Sequence, residues 1–117
     1  MKLAVDLHVR GKFSEAETAY RNILRALPAQ FDATHNLGVL LLQCGKPEAA
    51  LDYLNRAAEI NPRSASARLN IGNALRTLGC FGDALDSYDV ALAINPSYAE
   101  AYNNRGVVLR RLGRSAE

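Results

Sequence analysis

The 117-residue chain repeats itself every 34 residues, and no other feature limits its fold as tightly. Thr34–Gly45, THNLGVLLLQCG, returns as RLNIGNALRTLG at Arg68–Gly79 and as YNNRGVVLRRLG at Tyr102–Gly113. A second stretch recurs with it: Glu15–Pro28, Ala49–Pro62 and Asp83–Pro96 superpose at the same offset, each closed by proline. A unit of this length is too small to bury an apolar face alone. Stacked copies must share one continuous core, which is how solenoids are built.

Within each period the apolar residues recur at steps of three and four, as a helix requires and a strand does not. Two helices per period are therefore expected, separated by short turns at Gly11-Lys12, Gly45-Lys46 and Gly79-Cys80. Glycine suits a helix C-terminus because it tolerates positive φ. Pro47 falls in the first turn of a second helix, where its missing N–H is not needed. The Asn-Pro pairs at 61–62 and 95–96 stop the second helices. Ser97 and Glu100 have the spacing of a capping box for the helix that follows. The expected fold class is all-α, a right-handed superhelical solenoid of antiparallel helix pairs.

These residues resemble the tetratricopeptide repeat (TPR) family. The matching positions are Leu37, Gly38, Leu41, Ala50, Leu54, Ala57 and Pro62 in one copy. In the next they are Ile71, Gly72, Leu75, Ala84, Tyr88, Ala91 and Pro96. The N-terminal copy keeps Leu3, Leu7, Ala16, Tyr20 and Pro28 but has Ala4 for the glycine; the last copy shows Tyr102, Gly106 and Leu109. The resemblance divides a single 1–117 domain into a near-complete first repeat (1–30), a second (31–64), a third (65–98) and the first helix of a truncated fourth (99–117). Gly38 and Gly72 are expected to let paired helices approach against Ala50 and Ala84. Tyr20, Tyr88 and Tyr102 are expected in the core.

Composition excludes several classes. Net charge is +2 with 22% charged residues, so nothing marks the chain as disordered or as a polyanion binder. Apolar runs fall well short of the roughly 20 residues that span a bilayer, and Asp6, His8 and Arg10 interrupt the N-terminus before it could serve as a signal peptide. Cys44 and Cys80 have neither metal nor redox spacing and read as reduced thiols of a cytoplasmic protein. Phosphate-loop, zincin and nucleophile-elbow motifs are missing. His8 and His35 fall at opposite ends of successive first helices, which argues against a shared metal. Asp52, Asp86 and Glu59 fall on second helices as solvated charges. No enzyme, cofactor or metal site is expected.

What the resemblance implies is a groove lined by the first helix of each pair, where an extended peptide binds. By register it carries Asn36, His35 and Val39 from one repeat, Asn70, Asn73 and Arg76 from the next, and Asn103, Asn104, Val107, Arg110 and Arg111 from the last. The chaperone-type carboxylate clamp does not fit: His35, Val39 and Glu100 stand where it has Lys, Asn and Lys. Asn36, Asn70 and Asn104 instead resemble the asparagine ladder in the TPR region of bacterial O-GlcNAc-transferase-like glycosyltransferases, and Lys2 breaks that series in the first copy. Arg105, Arg110, Arg111 and Arg114 make the C-terminal end basic, but no aromatic stacking platform accompanies them, so a nucleic-acid partner is not expected. Nor is a membrane partner.

The expected function is a non-catalytic protein–protein interaction scaffold. The alternatives are the substrate-recruiting arm of a larger enzyme, most plausibly a glycosyltransferase, and a self-assembling structural protein. Gly113–Glu117 aligns with the start of a second helix, which points to an N-terminal part of a longer protein. Val108, Leu109 and Leu112 then lack a covering helix, and a homo-oligomer through that face is the corresponding expectation.

Overall fold

A computed structural model describes residues 1–113. The described chain consists of seven α-helices: α1 (Lys2–Val9), α2 (Phe13–Ala26), α3 (Phe31–Gln43), α4 (Pro47–Ile60), α5 (Ala65–Thr77), α6 (Phe81–Ile94) and α7 (Ala99–Arg111). They fall into two compact units, Met1–Pro62 and Arg63–Glu117. The expected helix start in Gly113–Glu117, and Arg114 with it, lies outside the described residues.

Every first helix ends in the same way. Gly11, Gly45, Gly79 and Gly113 have φ between 71° and 80°, the left-handed region that glycine enters without strain. At the first three, the residue after the glycine donates back to the carbonyl five positions earlier: Lys12 to Leu7, Lys46 to Leu41 and Cys80 to Leu75, at 2.8–2.9 Å. The glycine N–H donates three positions back, completing a Schellman motif. The turn is thus two residues long, and the second helix returns along the first.

In the first unit α1 packs on α2, α2 on α3 and α3 on α4. Tyr20, Leu37, Leu40, Leu41 and Leu54 are its largest buried apolar side chains. In the second unit α5 pairs with α6 and α7 packs on α6. Its core joins Leu69, Ala84, Leu85, Tyr88, Ala91, Ala101, Val108 and Leu109.

Four local expectations need correction. The close approach at Gly38 and Gly72 is made to larger side chains than Ala50 and Ala84. A Cβ at Gly38 would lie 2.7 Å from Leu54 Cγ, and one at Gly72 would lie 2.5 Å from Tyr88 Cε1. The glycines therefore make room for the one large residue that each second helix turns inward. Ser97 makes no capping box. The N-cap of α7 is Tyr98, which aligns with the N-caps Gln30 and Ser64, and the Ser97 hydroxyl donates to Asn95 Oδ1 at 3.1 Å instead. Tyr102 is 54% exposed, because it aligns with Thr34 and Arg68 and not with Tyr20 and Tyr88; its hydroxyl donates to Pro96 O. Finally, Val108 and Leu109 are buried, since α7 rests on the preceding helix α6. Leu112, at 39% exposure, is the remaining apolar residue of that proposed contact.

Candidate functional site

The first helices carry their polar residues at the spacing of one helix face. On α5 these are Asn70, Asn73 and Arg76, all half-buried; on α7 they are Asn103, Asn104, Arg110 and Arg111, with apolar Val107 among them. The structure joins three of the asparagines. Asn104 Nδ2 donates to Asn73 Oδ1 across the two helices at 2.9 Å, and Asn73 Nδ2 donates to Asn70 Oδ1 at 3.3 Å. A carboxamide carries both a donor and an acceptor, so a row of them can continue from helix to helix.

The centre of this row is a residue of the second helix that the repeat pattern places in the core. Tyr88 is fully buried, yet its hydroxyl reaches the first-helix face and donates to Asn73 Oδ1 at 2.7 Å. Asn73 therefore accepts two hydrogen bonds and donates one. A buried hydroxyl needs such a partner. Burial pushes the Tyr88 phenol above its usual range, and the nearby Arg76 cation works against that rise.

The first unit builds a related arrangement two periods earlier. Tyr20 is fully buried, with its hydroxyl 3.0 Å from His8 Nδ1 and with Asn36 as a further side-chain hydrogen-bond partner. His8 Nε2 lies 2.6 Å from Gln43 Oε1. An amide oxygen only accepts, so Nε2 carries a proton, and in that tautomer of the neutral ring Nδ1 accepts from the Tyr20 hydroxyl. Burial raises the Tyr20 phenol too, and the Asn36 hydrogen bond opposes it. The intermediate copy has Leu54 at the tyrosine position and Val39 at that of Asn73, so it has no hydroxyl to satisfy.

The ladder residues thus have structural partners: Asn36 meets Tyr20, Asn104 meets Asn73, and Asn70 accepts from Asn73. Among the other candidates, His35 stacks on Phe31 with ring centroids 5.5 Å apart and planes within 7°. Val39 and Val107 are half-buried, and Asn103 and Arg110 are exposed. Arg111 lies 5.5 Å over the Phe81 ring, a cation–π contact that draws it toward the start of α6. The register alone leaves out His8, Tyr20 and Tyr88. A signal existed for them: tyrosine rather than phenylalanine at a buried position demands a hydrogen-bond partner, and Asn73 and His8 stand on the paired first helices.

Among the described residues no three or more His, Cys, Asp or Glu side chains group to hold a metal ion. Cys44 and Cys80 are exposed free thiols. No described helix is long and apolar enough to cross a membrane. What this face offers is directional hydrogen bonding from fixed amides.

A tetratricopeptide-repeat family profile matches residues 1–65, and a TPR-repeat profile matches residues 72–113. No curated protein sequence matches at a significant level. Among solved structures, a crystal structure of MamA is 28% identical, with a TM-score of 0.90 over 99% of this chain and 68% of that one. MamA from Desulfovibrio magneticus RS-1, residues 41 to the end, is 20% identical with a TM-score of 0.93, covering 98% of this chain and 65% of the other. The first TPR of Spaghetti (RPAP3), bound to an HSP90 peptide, is 22% identical with a TM-score of 0.92, covering 96% and 89%. The last two likenesses are of fold. With three helix pairs joined through glycine turns and a seventh helix among the described residues, and family profiles over both halves, the chain is a member of the tetratricopeptide-repeat family, with that family's all-α solenoid fold.

Proposed function

We propose that this tetratricopeptide-repeat chain, a protein-interaction scaffold without catalysis of its own, holds an extended peptide along its first-helix faces by hydrogen bonds to the peptide backbone. The observation that carries this reading is the row Asn70–Asn73–Asn104 on α5 and α7. These amides are fixed by one another and by Tyr88, so little side-chain freedom is lost when a guest arrives. Asn73 keeps one N–H, and Asn104 one N–H and its carbonyl oxygen, beyond the bonds of this row, because a carboxamide has two N–H donors and two acceptor lone pairs. An extended backbone presents the complementary N–H and C=O groups. Exposed Asn103 and Arg110 flank the row and are available to side chains of the guest.

The Spaghetti TPR, solved with an HSP90 peptide, shows that this fold accommodates a peptide. A chaperone-type carboxylate clamp does not fit this chain, since His35, Val39 and Glu100 stand where that clamp has Lys, Asn and Lys.

The test begins with a displayed library of short unstructured peptides selected against the whole chain. For a recovered peptide, Asn70→Ala is expected to weaken binding about fivefold, the value of roughly 1 kcal/mol for one net hydrogen bond. Helicity should be unchanged, because Ala is the better helix former. Unchanged affinity for the Asn70→Ala and Asn103→Ala variants, with peptides that nevertheless bind, would sink the reading.

A further inference from the structure

The first compact unit also holds a basic cavity on the face made by α2 and α4, separate from the first-helix polar face. Its volume is about 320 Å3. Arg21, Leu24 and Arg25 of α2 line one side, Tyr53 and Arg56 of α4 the other, with Pro28 and Thr34 closing the end. Thr34 is buried and its hydroxyl donates to Gln30 O, so it serves as floor.

Tyr53 organises the cations. Arg21 Nη1 donates to its hydroxyl at 2.8 Å, and the Arg56 guanidinium lies 5.0 Å over its ring. Arg21 is ion-paired to Glu17 at 2.9 Å, and Arg25 donates to the neutral Asn22 at 2.6 Å. Among the described residues, neither Arg25 nor Arg56 forms an ion pair. Asp52 and Glu59 share α4 with Arg56 but do not line the cavity. Glu17 balances Arg21, so the cavity carries two uncompensated guanidinium groups.

A guanidinium is a planar fork that matches a carboxylate with two parallel hydrogen bonds, and packing against an aromatic ring holds it ready. Leu24 and Pro28 add an apolar wall suited to the methylenes of an acidic side chain. Nucleic acid fits less well: a base needs a free aromatic face, and Arg21 and Arg56 both lie over the Tyr53 ring. We propose that this cavity is a second docking site, one that takes the carboxylates of an acidic segment in a partner protein.

Fluorescence anisotropy of the whole chain with fluorescein-labelled hexaglutamate tests this directly. Saturable binding is expected, weakening as salt rises. The double variant Arg25→Gln/Arg56→Gln should bind at least tenfold more weakly. Both side chains are exposed, so the fold should persist, as circular dichroism would verify. Asn70→Ala should bind hexaglutamate as the parent does, which separates this site from the first-helix face. No saturable binding, equal binding by the folded double variant, or stronger displacement by polyuridylate than by unlabelled hexaglutamate would each overturn the assignment.

Discussion

Asn73→Ala is the perturbation that weighs most on the second unit. Asn73 Oδ1 accepts from Tyr88 at 2.7 Å and from Asn104 at 2.9 Å, while its Nδ2 donates to Asn70 at 3.3 Å. Asn70 and Asn104 are half-buried and can turn to water once released. Tyr88 has no exposed surface, so its hydroxyl loses its acceptor without gaining another. Leaving a buried hydroxyl unpaired costs about 1–3 kcal/mol, and Ala in place of Asn within α5 returns roughly 0.5 kcal/mol of helix propensity. A net loss of about 1–2 kcal/mol follows. Tyr88→Phe removes the group that needs the partner and leaves Asn104 bonded to Asn73, so it should cost less, ~0.5–1 kcal/mol. The double variant should then be more stable than the sum of the singles predicts, by about 1 kcal/mol, since the unpaired hydroxyl is gone. Urea unfolding followed by far-ultraviolet circular dichroism reads all three, with an unchanged slope confirming that only stability moved. If Asn73→Ala matches the parent, or if the two substitutions simply add, the Tyr88–Asn73 bond does not hold this face.

Two further contrasts follow from the repeat. Gly72→Ala should destabilise by ~1–3 kcal/mol because its Cβ would strike the Tyr88 ring, whereas Gly106→Ala should stabilise by up to about 1 kcal/mol, since a Cβ there meets only Arg110 Nη1 at 3.6 Å; thermal melts of the two variants must move in opposite directions. Ser64 caps α5 by accepting from Ala67 N at 3.1 Å, so Ser64→Ala should lower stability by ~1 kcal/mol in urea unfolding while Ser97→Ala, outside the α7 cap, changes it by less than half as much.

Periodicity carried most of the secondary structure. The glycines at 11, 45, 79 and 113 announce the turns, because positive φ at a helix end favours glycine whatever surrounds it. The apolar steps of three and four and the prolines after each second helix are likewise local signals. They depend on backbone sterics and solvent, which the sequence states at each position. Family membership follows from the same residues.

Partner choice within the core was not legible in that way. Gly38 and Gly72 were readable as sites of close approach, but whether the approaching group is an alanine or a Leu54 or Tyr88 side chain depends on how two helices are rotated about their axes. Val108 and Leu109 lack a cover if only the helix that would follow α7 is counted; in the folded chain α7 buries them on the preceding helix α6. The asparagines show the same limit. Their recurrence marks a face, yet only the tertiary structure turns Asn73 into the acceptor of Tyr88 and brings Asn104 to it across two helices. The basic cavity has no repeat signature at all, since Arg21, Asn55 and Asp89 occupy one repeat position and differ in charge. It arises where α2 and α4 bring Arg21, Arg25, Tyr53 and Arg56 together, and proximity between residues on separate helices is set by packing and not by spacing along the chain.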